Sequence, residues 1–133
     1  MSAQNLNLAM WQADPATVES KVFLRQTLGL TAAEVSRTVH LPGKGSGFVH
    51  AHRRNEELYI VTHGHGWLYI DGAEIPVGEG NVFRISAEGR RAIRAADDST
   101  LIYYCVQADA GSLVQSTRDD GYKLAEKASW MKE

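Results

Sequence analysis

The chain has 133 residues, enough for one domain that buries a real core. Hydrophobic residues make up 44% and charged residues 23%, an ordinary balance for a globular protein. A net charge of −2 and a pI near 6.2 argue against a nucleic-acid surface and give no sign of a membrane patch. The opening residues carry no basic segment or long apolar run, so neither a signal peptide nor a membrane span is expected. Cys105 is the single cysteine, which forbids an internal disulfide and fits a cytoplasmic location. It lies in an apolar run with no motif around it and reads as a core residue.

Residues 1–20 read as a lead-in, with a turn at Asp14-Pro15. Residues 21–116 read as a barrel of short strands, and 117–133 as a C-terminal helix or tail. The first strand falls on Lys21–Arg25. Glu34–Leu41 alternates with period two and reads as a strand, followed by a loop at Pro42–Gly47. Phe48–His52 is the next expected strand, and Glu57–Thr62 another, rich in β-branched and aromatic residues. His63–Gly66 reads as a turn and Trp67–Ile70 as a strand. Asp71-Gly72 then signals a two-residue hairpin. Glu74–Val77 pairs back, with Pro76 marking an edge or strand end. Asn81–Ile85 and Arg91–Ala95 follow, set apart by glycine turns. Thr100–Gln107 is the longest apolar strand and is expected at the centre, with a last strand at Leu113–Gln115. Short strands at regular spacing with no long helical period describe an all-β antiparallel sandwich or small barrel. A barrel of this kind opens at one end, where a small ligand sits.

Chemistry concentrates between Gly45 and Gly64. His50 and His52 alternate on a strand, so both side chains share one face with Cα atoms roughly 7 Å apart. Four residues later Glu57 opens the next strand, and a hairpin through Arg53-Arg54-Asn55 brings it back across from the histidines. Two imidazoles and a carboxylate form a facial triad suited to a first-row metal. Glu56 has the opposite strand parity. His63 shares parity with Glu57 but lies roughly 20 Å along the strand, too far to share one ion. His63 and His65 therefore read as turn residues, and His40 as a lone strand histidine. Tyr59 is in phase with Glu57 and Phe48 with His50. Both read as core aromatics that could line a pocket.

This pattern resembles the first motif of the cupin superfamily: a glycine, H-x-H, a glutamate and a closing glycine. His50-Ala51-His52, Glu57 and Gly64 match it, with Gly45 one residue closer than usual. The resemblance implies a small single-domain cupin, an antiparallel double-stranded β-helix (jelly roll) with a metal inside. It also implies a homodimer. The second motif of that family ends in a third metal-binding histidine. Here Gly80 begins the motif, Ala87 stands at the usual proline and Gly89 fits the glycine, which places the histidine position on Ala92. Alanine cannot ligate, so the implied shell is His50, His52 and Glu57 around a divalent ion: Fe, Mn, Ni or Zn. If Ala92 faces the cavity, Arg90 and Arg94 share its parity and could hold an anion at the mouth. Otherwise they form a solvated basic edge. The implied function is metal-dependent oxygenase or isomerase chemistry on a small polar molecule in the barrel. The alternatives are a non-catalytic ligand binder and a structural dimer with a vestigial site. With no helix-turn-helix attached, a fused transcription regulator is not expected.

Overall fold

The computed structural model describes residues 7–115 and 117–132. Among them the chain forms strands β1 (Ser20–Phe23), β2 (Glu34–His40), β3 (Asn55–His63), β4 (His65–Ile70), β5 (Ala73–Gly78), β6 (Val82–Ile85), β7 (Arg91–Ala95) and β8 (Leu101–Asp109). Helices are single turns: α1 (Arg25–Leu28), α2 (Thr117–Asp120) and a 3₁₀ turn at Ser129–Met131. No helix among the described residues is long and apolar enough to cross a membrane.

All pairings are antiparallel. The larger sheet has the order β1-β2-β8-β3-β6, and the smaller one the order β5-β4-β7. β8 is therefore central, as its apolar run predicts. Its alternate residues Leu101, Tyr103 and Cys105 point inward. They meet Tyr59 and Val61 of β3, Leu68 of β4, Val77 of β5, Ile85 of β6, and Ile93 and Ala95 of β7 in one core shared by both sheets. This is the expected all-β antiparallel jelly roll. β5, which carries Pro76, lies at a sheet edge, where a missing N–H costs no ladder bond. Asp71 (φ 48°) and Gly72 (φ 93°) make the tight β4–β5 turn.

Three expectations need correction. Phe48–His52 is not a regular strand. It is an extended segment tied to β7 by isolated bridges, Gly45 to Arg94 and His50 to Arg91. Leu113–Gln115 forms no strand and is exposed. The first strand ends at Phe23, and Arg25–Leu28 turns into α1, closed by Gly29 in the left-handed conformation (φ 68°). That turn buries none of its own residues, so no hydrophobic period announces it.

Gly64 joins β3 to β4 with φ 77°, and a Cβ there would stand 1.7 Å from the Thr100 carbonyl oxygen. Gly111 has a similar φ of 75° but open space around it. Gly64→Ala is therefore expected to cost ~3 kcal/mol or more, and Gly111→Ala only ~1 kcal/mol. Urea unfolding of both variants measures this, and equal losses would refute the close approach as the reason for Gly64.

Candidate metal centre

The site starts from Glu57 on β3. Strand alternation turns Glu57, Tyr59 and Val61 inward while Leu58 and Thr62 point out. Glu57 is 5% exposed, so its carboxylate needs partners. The Tyr59 hydroxyl donates to Oε1 at 3.2 Å. Arg91 Nε lies 3.4 Å from the same oxygen, an ion pair whose geometry falls short of a hydrogen bond. His52 Nε2 meets the other oxygen, Oε2, at 3.1 Å.

The histidines are placed by their backbone. His50 N–H donates to the Arg91 carbonyl, and Arg91 N–H returns the bond to His50, both at 3.0 Å. His52 N–H donates to the Ala87 carbonyl at 2.8 Å. Extended geometry then places the two imidazoles on one side, edge to face, with ring centroids 5.2 Å apart and planes at 83°. One ligand atom each from His50, His52 and Glu57 lies within 4.8 Å of the others. The structure thus brings together the three residues picked out by spacing.

Whether this set fits a metal is decided by its free donors. His50 Nδ1 is buried and has no hydrogen-bond partner. Burial lowers the His50 pKa, with Arg91 and His52 adding to the effect against the pull of Glu57. A neutral imidazole with an unspent lone pair is the form that binds a metal. An imidazole nitrogen from each histidine and a carboxylate oxygen fit Fe, Mn, Ni or Zn. Tyr59 and Arg91 hold the far carboxylate oxygen, which fixes the orientation of Glu57 from behind.

The position across from this cluster differs from the expected one. On β7, Arg91, Ile93 and Ala95 are buried, whereas Ala92 belongs to the opposite face. Ala92 pairs with Tyr69 and lines a separate outer groove with Ser46, Trp67 and Glu74. The inward residue is Arg91, 1% exposed, whose guanidinium donates to the Ser86 carbonyl at 3.0 Å and to the Ala87 carbonyl at 3.5 Å. So the space is not an alanine-lined vacancy; a buried cation stands there. Arg90 and Arg94 project outward, where Arg90 pairs with Asp71 and Arg94 with Asp97. They form a surface edge and do not reach the cavity. His63 is exposed, because a register shift between Val61 and His63 breaks the alternation that would have turned it inward. His65 pairs with Asp98 on the surface. Burial pushes the Cys105 thiol up to about 12, as suits a core residue.

A cavity of about 390 Å³ adjoins the cluster, with His50 and Phe48 on one side and Lys21, Thr38, His40 and Tyr103 on the other. Sequence reasoning missed this second wall. His40 is not alone: its Nδ1 meets Glu19 Oε2 at 2.7 Å and its Nε2 meets the Tyr103 hydroxyl at 3.1 Å. The usable signal was the inward parity of Ser36, Thr38 and His40 on β2. Nothing in the lead-in marks Glu19 as their partner.

Comparison with known proteins agrees with this architecture. Residues 37–107 match the sequence-family model described as "Cupin domain". No curated protein sequence matches the chain. Among solved structures, a cupin protein from Bacteroides fragilis is 38% identical with a TM-score of 0.78, covering 88% of this chain and 99% of that one. A Cupin 2 conserved barrel domain protein from Salinispora arenicola is 27% identical with a TM-score of 0.60, covering 83% of this chain and 90% of that one. A sugar phosphate isomerase of the cupin superfamily from Silicibacter pomeroyi shares the fold at 22% identity and TM-score 0.60, covering 68% of this chain and 59% of that one.

Removing Arg91 strands a buried carboxylate. Arg91→Met is expected to cost about 3–5 kcal/mol, and Arg91→Met combined with Glu57→Gln less than the sum of the two single changes. A double-mutant cycle by chemical unfolding measures the coupling, and strict additivity would show that the pair does not interact. Glu19 gives a pH signature. Burial works to raise its pKa, but hydrogen bonds from His40 and the Leu41 N–H outweigh it and hold the carboxyl below its usual range. Its contribution is therefore present above the unfolded-state pKa and is lost as pH falls through the folded one. Between about pH 5 and about pH 3, wild type should lose more stability than Glu19→Gln; parallel curves would contradict this.

Proposed function

Since the chain belongs to the cupin domain family, we propose that it binds one divalent metal ion through His50, His52 and Glu57 and acts on a small polar molecule in the adjoining cavity. The observation that carries this reading is the convergence of three donor atoms within 4.8 Å, with His50 Nδ1 buried and unpartnered. A buried nitrogen left without a bond is costly, and a ligand that takes its lone pair removes the cost. When bound, such an ion supplies Lewis acidity toward an oxygen of the substrate. The protein's own part is positional. The His50–Arg91 backbone bridge fixes the first imidazole, the Ala87 carbonyl fixes the second, and Tyr59 and Arg91 fix the carboxylate. Phe48 is not the core aromatic that its phase suggests: it is exposed, borders the cavity and meets the His50 ring edge-on. Oxygenase or isomerase chemistry fits a three-residue shell, which leaves positions open for substrate.

A second reading is favoured by Arg91. A guanidinium already neutralises Glu57, so the cluster is charge-balanced without an ion. That supports a non-catalytic ligand-binding protein built on a former metal site.

Metal analysis separates the two. Untagged protein, reconstituted in turn with Fe, Mn, Ni and Zn and then desalted, is expected to retain near one equivalent of one of them. His50→Ala should retain none while keeping its fold by circular dichroism. Wild type that holds no metal after every reconstitution would sink the first reading and leave the second.

A further inference from the structure

The cavity beside the cluster has a wall that metal binding leaves unused. β2 and β8 pair in register with Thr38 opposite Tyr103 and His40 opposite Leu101. Thr38, His40 and Tyr103 are 3%, 8% and 6% exposed, so their polar atoms are built into the wall and are not surface decoration.

The hydrogen bonds assign the protons. Glu19 accepts from the Leu41 N–H through Oε1 at 2.6 Å and meets His40 Nδ1 through Oε2 at 2.7 Å. An ionised carboxylate only accepts, so His40 Nδ1 carries the proton. In the neutral imidazole Nε2 is then an acceptor, and the Tyr103 hydroxyl donates to it at 3.1 Å. Both oxygens of the one carboxylate on this wall are thus engaged. The donors are less fully engaged: the buried Thr38 Oγ1 faces the Tyr103 hydroxyl without completing a hydrogen bond, and Lys21 lines the rim with its ammonium over the exposed Phe23 ring. A pocket whose acceptors are engaged and whose donors remain available suits an anion.

We propose that this cavity binds a small carboxylate, held by Thr38, Tyr103 and Lys21, and that His40 takes up one proton as it binds. The proposal rests on the cupin reading only in that His50 borders the same cavity. The balance is simple. A solvent proton adds to His40 Nε2, forming one N–H bond and an imidazolium paired with Glu19. That N–H then donates to the Tyr103 oxygen, and the Tyr103 O–H swings from Nε2 to the carboxylate. No other bond forms or breaks. The titratable groups around His40 are Glu19 from the lead-in and Tyr103 from β8, with Lys21 of β1, Lys44 and His50 around them. Glu19 favours the imidazolium, the two lysines oppose it, and the incoming anion adds to the pull of Glu19. Burial raises the Tyr103 pKa, with the Thr38 hydroxyl pulling the other way, so Tyr103 stays a hydroxyl throughout and acts as a donor.

The test titrates ¹⁵N-histidine-labelled protein with acetate and pyruvate, and with acetamide as the neutral control, from about pH 6 to about pH 8. Both as-purified and metal-stripped protein are used. The expected result is saturable binding of the carboxylates to both forms, at least ~10-fold tighter than acetamide. The His40 ring nitrogens should move from the neutral to the imidazolium pattern on saturation. Affinity should fall about tenfold per pH unit on the alkaline side, the slope for uptake of one proton. Thr38→Val should weaken binding about tenfold with an unchanged or higher Tm, since valine removes the unpartnered hydroxyl and keeps the shape. His40→Gln should abolish the pH slope. Equal affinity for acetate and acetamide, no binding to stripped protein, or a slope that survives His40→Gln would each overturn the proposal. Metal content measured on the same samples keeps the two readings apart. Protein that binds carboxylate but retains no metal after every reconstitution fails the metal reading alone, and protein that retains metal but shows no His40 response fails this one alone.

Discussion

Everything in the interior of this barrel is arranged around one buried negative charge. Glu57 is 5% exposed, and a carboxylate taken that far from water must be compensated at both oxygens. Arg91 and Tyr59 meet one oxygen and His52 the other. These partners come from three places: β3 itself, the extended histidine segment and β7. Compensating the charge therefore fixes how that segment lies against β7 and how β7 lies against β3. The isolated bridge between His50 and Arg91 is the backbone expression of the same constraint. A segment too irregular to be a strand is still held in place, because two of its residues are needed by a charge it does not own.

Two glycines make the frame possible. Gly64 lets β3 turn directly into β4 against the Thr100 carbonyl, where any side chain would collide. Gly45 lies flat on β7, and a Cβ there would stand 2.4 Å from the Arg94 Cβ. Both define the ends of the stretch that holds the metal-ligand candidates. Their role is steric: they allow the close approach of backbones that brings side chains from separate elements to one point.

Much of this was legible in the sequence, because it depends on local spacing. The alternation of His50 and His52, their convergence with Glu57, the Asp71-Gly72 turn and the apolar centre strand follow from short-range signals; the expected hairpin does not form, because the histidine segment bridges β7 while β3 pairs with β6 and β8. What was not legible depends on register. Counting forward from Gly89 put Ala92 inside, but the tight turn in which Gly89 N–H bonds Ser86, followed by the bridge to His50, sets β7 one residue earlier. A shift of one residue reverses every side chain on a strand, so the expected inward position fell on Ala92 while Arg91 is the residue that faces the cluster. The parity of His63 with Glu57 is likewise broken by the bulge after Val61, which leaves it exposed at the strand end. The Glu19–His40–Tyr103 chain was invisible for a different one. Its members come from the lead-in, β2 and β8, and no pattern within any one of them announces the other two.

Arg91 gives the interior its particular character. A shell of histidines and one glutamate carries a single negative charge and attracts a divalent cation strongly. Here the guanidinium cancels that charge in advance. Its repulsion opposes a second cation at the cluster and weakens divalent ion binding there. The same charge makes the interior receptive to anions. An ion seated on His50, His52 and Glu57 would leave the interior net positive, and a carboxylate against Thr38 and Tyr103 would offset it. The two ends of the cavity therefore share one charge balance. If both proposed sites bind, occupation of either end would favour occupation of the other, because a cation at the cluster and an anion against Thr38 and Tyr103 offset each other's charge.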